Sequence, residues 1–127
     1  PGTGAGGVAE GAGAVIRIDA IWLALGASDL RGGLDALLAA VVRGFAGGAQ
    51  PHHAYVFANR RVDRLKVLVY DGQGLWLCTR RLQTGGFDWP RDAAGARTIG
   101  AEQFEWLVAG LPWQRLQAGP LRAITVV

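Results

Sequence analysis

The sequence has a single cysteine, Cys78, no methionine, and a single lysine, Lys66. One cysteine excludes a disulfide within the chain, which fits a reducing compartment without proving one. No apolar run approaches the roughly 18 residues that a membrane-spanning helix needs. The first residues also lack the basic segment that opens a secretory signal. We therefore expect a cytoplasmic protein with no membrane partner.

Glycine and alanine dominate residues 1–14, which offer little apolar surface for a core. We expect this segment to be a flexible tail. Half of all residues are hydrophobic, so the remainder of the chain can bury a substantial core. Residues 15–127 are accordingly expected to form one domain.

The net charge of +3 is unevenly distributed along the chain. The stretch from Asn59 to Arg81 holds six basic residues against two acidic ones, and the rest of the chain is near neutral. A local surplus of this kind indicates a surface for an anionic partner better than the total charge does. The six basic residues are Arg60, Arg61, Arg64, Lys66, Arg80 and Arg81.

Short apolar runs separated by turn signals predict β-strands. The segment 15–25 is partly β-branched and is expected to form one strand or a strand pair. Asp71-Gly72-Gln73-Gly74 separates two apolar runs and is typical of a hairpin turn. Further strands are expected at 54–58, 65–70, 75–82 and 121–127, with a loop at 91–95.

Two segments carry apolar residues at the spacing of an amphipathic helix. The first covers about 30–45 and follows Ser28 and Asp29, both favourable N-cap residues. The second covers about 101–111. Together these elements predict an α+β fold, with a mainly antiparallel sheet, a central β-hairpin and two packed helices in a single domain.

The strand period determines which hairpin residues share a face. For a turn of either two or four residues, Lys66 faces an odd-numbered partner on the returning strand. Arg64 and Lys66 therefore share one face with Arg81, whereas Arg80 lies on the other. This basic end, extended by residues 60–61, is wide enough to span several phosphates. A protein-binding surface and a solvated sheet edge that opposes aggregation are the alternatives.

Residue types that carry catalysis or bind metals are present without a pattern. Asp63, Asp71 and Asp88 are metal-ligand candidates by residue type alone. The adjacent His52 and His53 are expected in a solvated loop. We therefore expect no catalytic residue, no metal and no cofactor.

The cysteine and most aromatic residues are expected in the core. Cys78 lies mid-strand on the same face as Trp76, which is typical of a packed thiol. Trp89 is the exception, because it follows two glycines and lies close in sequence to Arg80 and Arg81. A loop tryptophan in that position can stack on an unpaired base.

Five blocks of sequence, in this order and spacing, resemble one known family. The match extends over about residues 16–116, with Leu30 and Gly32 where the family usually has Met and a basic residue. The pattern resembles the accessory-protein (TnpB, Orf2-like) family of the insertion sequence 66 transposons. The blocks are Asp29–Asp35, Phe57–Leu68, Tyr70–Leu75, Arg80–Leu82 and Gly86–Pro90.

The resemblance implies a non-catalytic accessory factor, encoded beside a separate transposase that performs strand transfer. Its expected partners are DNA at the transposon ends and the transposase of the same element, which implies a nucleoid-associated location. Two functions stay open: contact with DNA through the basic hairpin, or docking on the transposase without touching DNA. Arg31, in the first block, is expected to contact a phosphate or a transposase carboxylate, because a positive charge near a helix N-terminus is otherwise unfavourable.

Overall fold

A computed structural model describes residues 14–91, 94–116 and 124–126 of the chain. The described residues contain seven strands, two α-helices and one short 3₁₀ helix. The strands are β1 (Ala14–Ile16), β2 (Ala20–Ala24), β3 (His53–Ala58), β4 (Arg64–Tyr70), β5 (Leu75–Arg81), β6 (Ala96–Ile99) and β7 (Ile124–Val126). The helices are α1 (Gly33–Gly44) and α2 (Ala101–Val108), and the 3₁₀ helix is Trp113–Arg115.

Five of the strands form the main sheet, in the order β5-β4-β3-β2-β6. Strands β2 and β3 are parallel and are joined through α1, while the other three pairings are antiparallel. Strands β1 and β7 form a separate antiparallel pair. The predicted α+β fold with a mainly antiparallel sheet and two helices is confirmed.

Helix α1 covers one face of the sheet. Its buried residues Leu37 and Val41 pack against Tyr55 of β3 and Leu68 of β4. Each fully buried side chain of this size contributes about 1.5–3 kcal/mol of transfer free energy. The three- and four-residue spacing of the apolar positions therefore attaches α1 to the hairpin strand that also carries Lys66.

Helix α2 and the 3₁₀ helix cover the opposite face. Leu107 and Trp113 are fully buried there, in a cluster that includes Leu65 of β4 and Val56 of β3. Because side chains alternate along a strand, β3 and β4 send successive residues into two different cores. This double burial fixes the register of the hairpin, since a slip of one residue would expose both apolar sets.

The start of α1 differs from the prediction. The helix begins at Gly33, and its N-cap, Gly32, makes no side-chain hydrogen bond, so the predicted N-cap roles of Ser28 and Asp29 were wrong. The reason is local, because Gly33 has φ of +73° and a left-handed residue interrupts an α-helix. Leu30 is still buried, but in the loop before the helix.

Strand β6 was not predicted. Three of its four residues are exposed, so it lacks the alternation that signals a half-buried strand. At the other boundary, β1 begins at Ala14, one residue inside the segment predicted to be a tail. Residues 1–13 lie outside the described residues, as do 121–123 and 127 of the predicted last strand, whose residues 124–126 form β7.

Candidate nucleic-acid interface

Basic residues from four separate elements meet at one end of the main sheet. The antiparallel register brings the start of β4 against the end of β5, next to the turn that joins β3 to β4 and the loop before α1. We call this region the cationic end. It comprises Arg31, Arg60, Arg61, Arg64, Lys66 and Arg81, with two carboxylates nearby, Asp29 and Asp63.

Arg64 and Arg81 are direct cross-strand partners in the register of β4 and β5. Cβ atoms of such partners lie about 4.5–5.5 Å apart, and like charges in this position are destabilising. Among the described residues, the ion pairs are Arg17–Asp19 and Arg31–Asp29, so neither member of this arginine pair has a carboxylate partner there. The register therefore places two arginines opposite each other without a direct ion pair, although the Asp63 carboxylate attracts Arg81.

The turn between β3 and β4 is closed by one side chain, Asn59. Its Oδ1 accepts the backbone N–H groups of Asp63 at 3.2 Å and Arg64 at 3.1 Å, and its Nδ2 donates to Asp63 Oδ1 at 2.7 Å. The Asn59 amide holds the pKa of Asp63 below its ordinary value, with further attraction from Arg61 and Arg81. The one acid within the turn is thus bonded to an amide rather than to an arginine.

One of the two described non-glycine residues with positive φ, Val62, follows the exposed Arg60 and Arg61, and the other is His52. Val62 has φ of +52°, a left-handed conformation that is rare for a β-branched residue and costs about 1–3 kcal/mol. Its carbonyl accepts the N–H of Phe87 at 2.6 Å, and its side chain is buried. The surrounding contacts hold a turn that presents Arg60 and Arg61 to solvent.

Lys66 connects the hairpin to the loop before α1. Its Nζ donates to the carbonyl of Leu30 at 2.8 Å, which places the next residue, Arg31, beside the basic hairpin. The N-terminus of α1 lies at the same end, and its partial positive charge is offset by Asp35 in the first turn of the helix. This bond could not be predicted from local sequence patterns, because its partners lie 36 residues apart in the chain.

Arg31 is paired with Asp29 and not with Asp35. Its Nε and Nη2 donate to the two carboxylate oxygens of Asp29 at 2.9 and 3.0 Å, and its backbone N–H donates to Oδ1 at 3.0 Å. These bonds lower the pKa of Asp29 to about 2. Arg31 precedes the helix and therefore shares no helix face with Asp35.

Arg80 is separated from the cationic end. It lies opposite Leu65 on the other face of the hairpin, and its Nε donates to the carbonyl of Val108 at 3.0 Å, at the C-terminus of α2. A cation is favourable at that position of a helix. The predicted division of the hairpin, with Arg64, Lys66 and Arg81 on one face and Arg80 on the other, is confirmed.

The aromatic residues differ from the predictions in two places. Trp89 is buried and donates from Nε1 to the carbonyl of Gly26 at 3.1 Å, so the proposed stacking role for this residue was wrong. Trp76, expected in the core, is 42% exposed and donates to Asp71 Oδ2 at 2.9 Å. The exposed indole therefore lies at the hairpin turn, opposite the cationic end.

The remaining candidates for chemistry have local structural partners. Asp71 accepts the N–H groups of Gln73 and Gly74, which close the hairpin turn. Asp88 accepts from the Gln114 amide at 2.9 Å. In residues 14–91, 94–116 and 124–126, no three His, Cys, Asp or Glu residues are grouped so that they could hold a metal ion.

His53 and Cys78 both belong to strands. His53 begins β3, contrary to the predicted loop, and its Nδ1 accepts the indole N–H of Trp22 at 3.1 Å. Cys78 packs against the α2-side core, and burial raises the pKa of its thiol. The packed-thiol interpretation of Cys78 is confirmed. No helix in the described ranges is long and apolar enough to cross a membrane.

Fold and surface together define a small α+β domain that presents an arginine-rich end of its sheet. A family model described as IS66 Orf2 like protein matches residues 19–118. The chain belongs to this family, as its sequence blocks predicted, and the family connects it with an accessory role in transposition by an insertion sequence.

Two curated relatives come from Sinorhizobium fredii. The uncharacterized protein y4jC is 39% identical over 101 residues, which cover 78% of this chain and 85% of the relative. The uncharacterized protein y4hO is 35% identical over 97 residues, which cover 76% of this chain and 84% of that relative. No solved structure matches the chain.

Proposed function

We propose that this protein is a non-catalytic accessory factor in transposition that binds DNA phosphates with its cationic end. The observation that carries the proposal is the cross-strand pair of Arg64 and Arg81, which has no direct ion-pair partner among the described residues. Like charges opposite each other weaken a sheet. An anion placed between the two guanidinium groups would replace their mutual repulsion with attraction to the anion. DNA phosphates are the anions that the transposition context supplies.

Two further features support a phosphate ligand. Arg60 and Arg61 are exposed on a turn whose strained Val62 is held in place by its neighbours. Strain of this kind concentrates at binding and switch sites. Lys66 has its ammonium group on the Leu30 carbonyl, so it contributes charge while the arginines supply the free donors. Guanidinium groups suit this task, because their fork of N–H donors matches phosphate oxygens.

The salt dependence of DNA binding tests the proposal. If Arg60, Arg61, Arg64 and Arg81 each neutralise one phosphate, log K should fall against log salt with a slope of about −3.6. Changing all four to Gln should abolish retention of duplex DNA while the circular dichroism spectrum stays that of the parent. A folded quadruple variant that binds DNA as well as the parent would contradict the proposal.

Arg80 offers a matched control for the DNA contact. It adjoins Arg81 in β5 and carries the same charge, yet it points to the opposite face and contacts Val108. Arg81→Gln should weaken binding and reduce the salt slope by about 0.9, whereas Arg80→Gln should leave both unchanged. Equal losses in the two variants would show that net charge, and not this site, determines retention.

Absence of catalysis is a separate part of the proposal. Asp63, Asp71 and Asp88 each accept local hydrogen bonds that account for their positions. Purified protein incubated with supercoiled DNA and Mg²⁺ or Mn²⁺ should leave the DNA intact, and Asp63→Asn combined with Asp88→Asn should change nothing. Nicking that needs the metal and disappears in the double variant would contradict this part.

One observation favours a second candidate, docking on the transposase of the element. Strand β5 is an edge of the sheet, and Trp76 is 42% exposed on it. An open edge with an exposed aromatic residue is typical of surfaces that accept another protein strand. Trp76→Lys should then abolish co-purification with the transposase and leave DNA binding by the pure protein unchanged. Co-purification with the transposase that survives Trp76→Lys would contradict this second candidate.

A further inference from the structure

The basic hairpin is embedded in a wide sheet. Strand β4 is bonded to β3 along residues 65–70 and to β5 along residues 64–70, so it has no free edge. Five strands at a spacing of about 4.8 Å make a sheet about 19 Å across. The major groove of duplex DNA is about 12 Å wide and admits a helix or a two-stranded ribbon. The hairpin therefore cannot enter that groove as a free ribbon.

Neither helix presents a basic surface suited to the major groove. The exposed positions of α1 include Asp35, Ala36 and Ala39, with Arg43 as its one basic residue. Helix α2 exposes Glu102 and Glu105 and contains no Lys or Arg. A recognition helix places basic and amide side chains against base edges. In the part of the chain that the structure describes, both helices lack that composition.

The cationic end also lacks an exposed ring for unpaired bases. Phe87 and Trp89, the aromatic residues that follow β5, are both buried. The exposed Trp76 lies five positions from Arg81 along β5, about 17 Å away at about 3.3 Å per residue. Its indole N–H is bonded to the carboxylate of Asp71, which repels phosphate. Proteins that bind single strands combine a basic groove with exposed aromatic side chains on which the bases stack.

These three observations argue against a ribbon or helix in the major groove and against stacking on unpaired bases, while exposed guanidinium groups are suited to phosphates. We propose that the cationic end binds the backbone of duplex DNA without contacting base edges, so that its affinity is the same for any duplex sequence. This inference rests on the proposed function and specifies its ligand. Selection of the transposon ends is then the task of the transposase, and this protein adds affinity wherever the transposase is bound.

Competition among DNA probes of equal length tests the inference. The probes are the terminal sequence of the element that encodes the chain, a scrambled duplex of the same composition, an A·T-only duplex, a G·C-only duplex and single-stranded oligo(dT). We expect dissociation constants within about threefold of one another for the four duplexes, and no tighter binding of the single strand. Base-edge contacts would produce differences of about tenfold or more.

The variant Arg81→Gln sharpens the result. A phosphate contact predicts that it weakens all four duplexes by the same factor, whereas a base contact would weaken some and spare others. A tenfold preference for the terminal sequence, or tighter binding of oligo(dT), would overturn the inference and leave the proposed function intact. Failure to bind any probe at low salt would instead overturn the proposed function itself.

Discussion

The two ends of the β4–β5 hairpin are built from the same strands but differ in whether their charged side chains have direct partners within the chain. At the hairpin turn, Asp71 accepts three hydrogen bonds, from Gln73, Gly74 and Trp76. At the other end, Arg64 faces Arg81 with no carboxylate partner in the described ranges. The charged side chain at the turn thus has its bonding partners within the chain, whereas the arginine pair at the cationic end does not.

This difference shows where a ligand is missing. A structural end such as the turn satisfies its polar groups internally, as buried and turn groups generally do. At the cationic end the one turn acid, Asp63, is bonded to Asn59, and the Arg64–Arg81 pair has no direct ion-pair partner in the described ranges. Unpaired like charges reduce stability, so a sheet that keeps them is expected to gain from a partner outside the chain.

Converting the arginine pair to an opposite-charge pair should have the largest effect. Arg81→Glu gives Arg64 a carboxylate partner across the strands, which should stabilise the fold by about 0.2–1 kcal/mol. Binding of duplex DNA should fall roughly hundredfold, counting one lost contact and one added repulsion at about tenfold each. Thermal denaturation tests the expected gain in stability, and a DNA shift assay on the same preparation tests the expected loss of binding. Loss of both stability and binding would show that Arg81 is needed for the fold.

Removing the bond that attaches the α1 loop should have the next largest effect. Lys66→Met keeps the aliphatic stem and deletes the donor to Leu30, at a cost of about 1–2 kcal/mol for a partly buried charged hydrogen bond. The free energy of unfolding in urea measures this loss. Arg61→Met, which also removes one exposed charge from the cationic end, should leave stability unchanged and serves as the control.

The turn end should show a smaller, pH-dependent effect. Hydrogen bonds from the backbone N–H groups of Gly74 and Gln73, then from Trp76, lower the pKa of Asp71. A lowered folded-state pKa stabilises the protein above the unfolded-state value of about 3.9, and this contribution is lost as pH falls through the folded-state pKa. Asp71→Asn should therefore lose less stability than the parent between pH 5 and pH 3, which thermal denaturation across this range measures. Identical dependence of stability on pH in Asp71→Asn and in the parent would show that the Asp71 carboxylate does not make this contribution.

Arg31 should show the smallest effect on stability. Its pair with Asp29 is exposed on both sides, and exposed ion pairs add little to stability. Arg31→Gln should leave the unfolding midpoint unchanged and reduce transposition of a marked element, because Arg31 lies beside Lys66 at the cationic end. A large fall in the midpoint would make Arg31 structural, and its proposed contact with DNA or transposase would then be abandoned.

Features that depend on residues close together in the sequence could be predicted, whereas features that depend on residues far apart could not. The division of Arg64, Lys66 and Arg81 from Arg80 was predictable, since strand alternation is a local property. The bond from Lys66 to Leu30 was not, because it joins residues that only the β2-α1-β3 crossover brings together. The predicted start of α1 was wrong because Gly33 adopts a left-handed backbone conformation. Glycine tolerates this conformation, but its presence in a sequence does not predict it.

Strand β6 has a consequence for the order in which the molecule is made. It pairs with β2 across about three-fifths of the chain, from Ile21↔Ile99 to Ala24↔Ala96. A ribosome therefore releases β2, β3, β4 and β5 well before the strand that covers the outer edge of β2. During that interval the nascent sheet has an apolar, unpaired edge of the kind that promotes aggregation. The late strand β6 therefore covers an edge that stays open to aggregation until residues 96–99 have been synthesised.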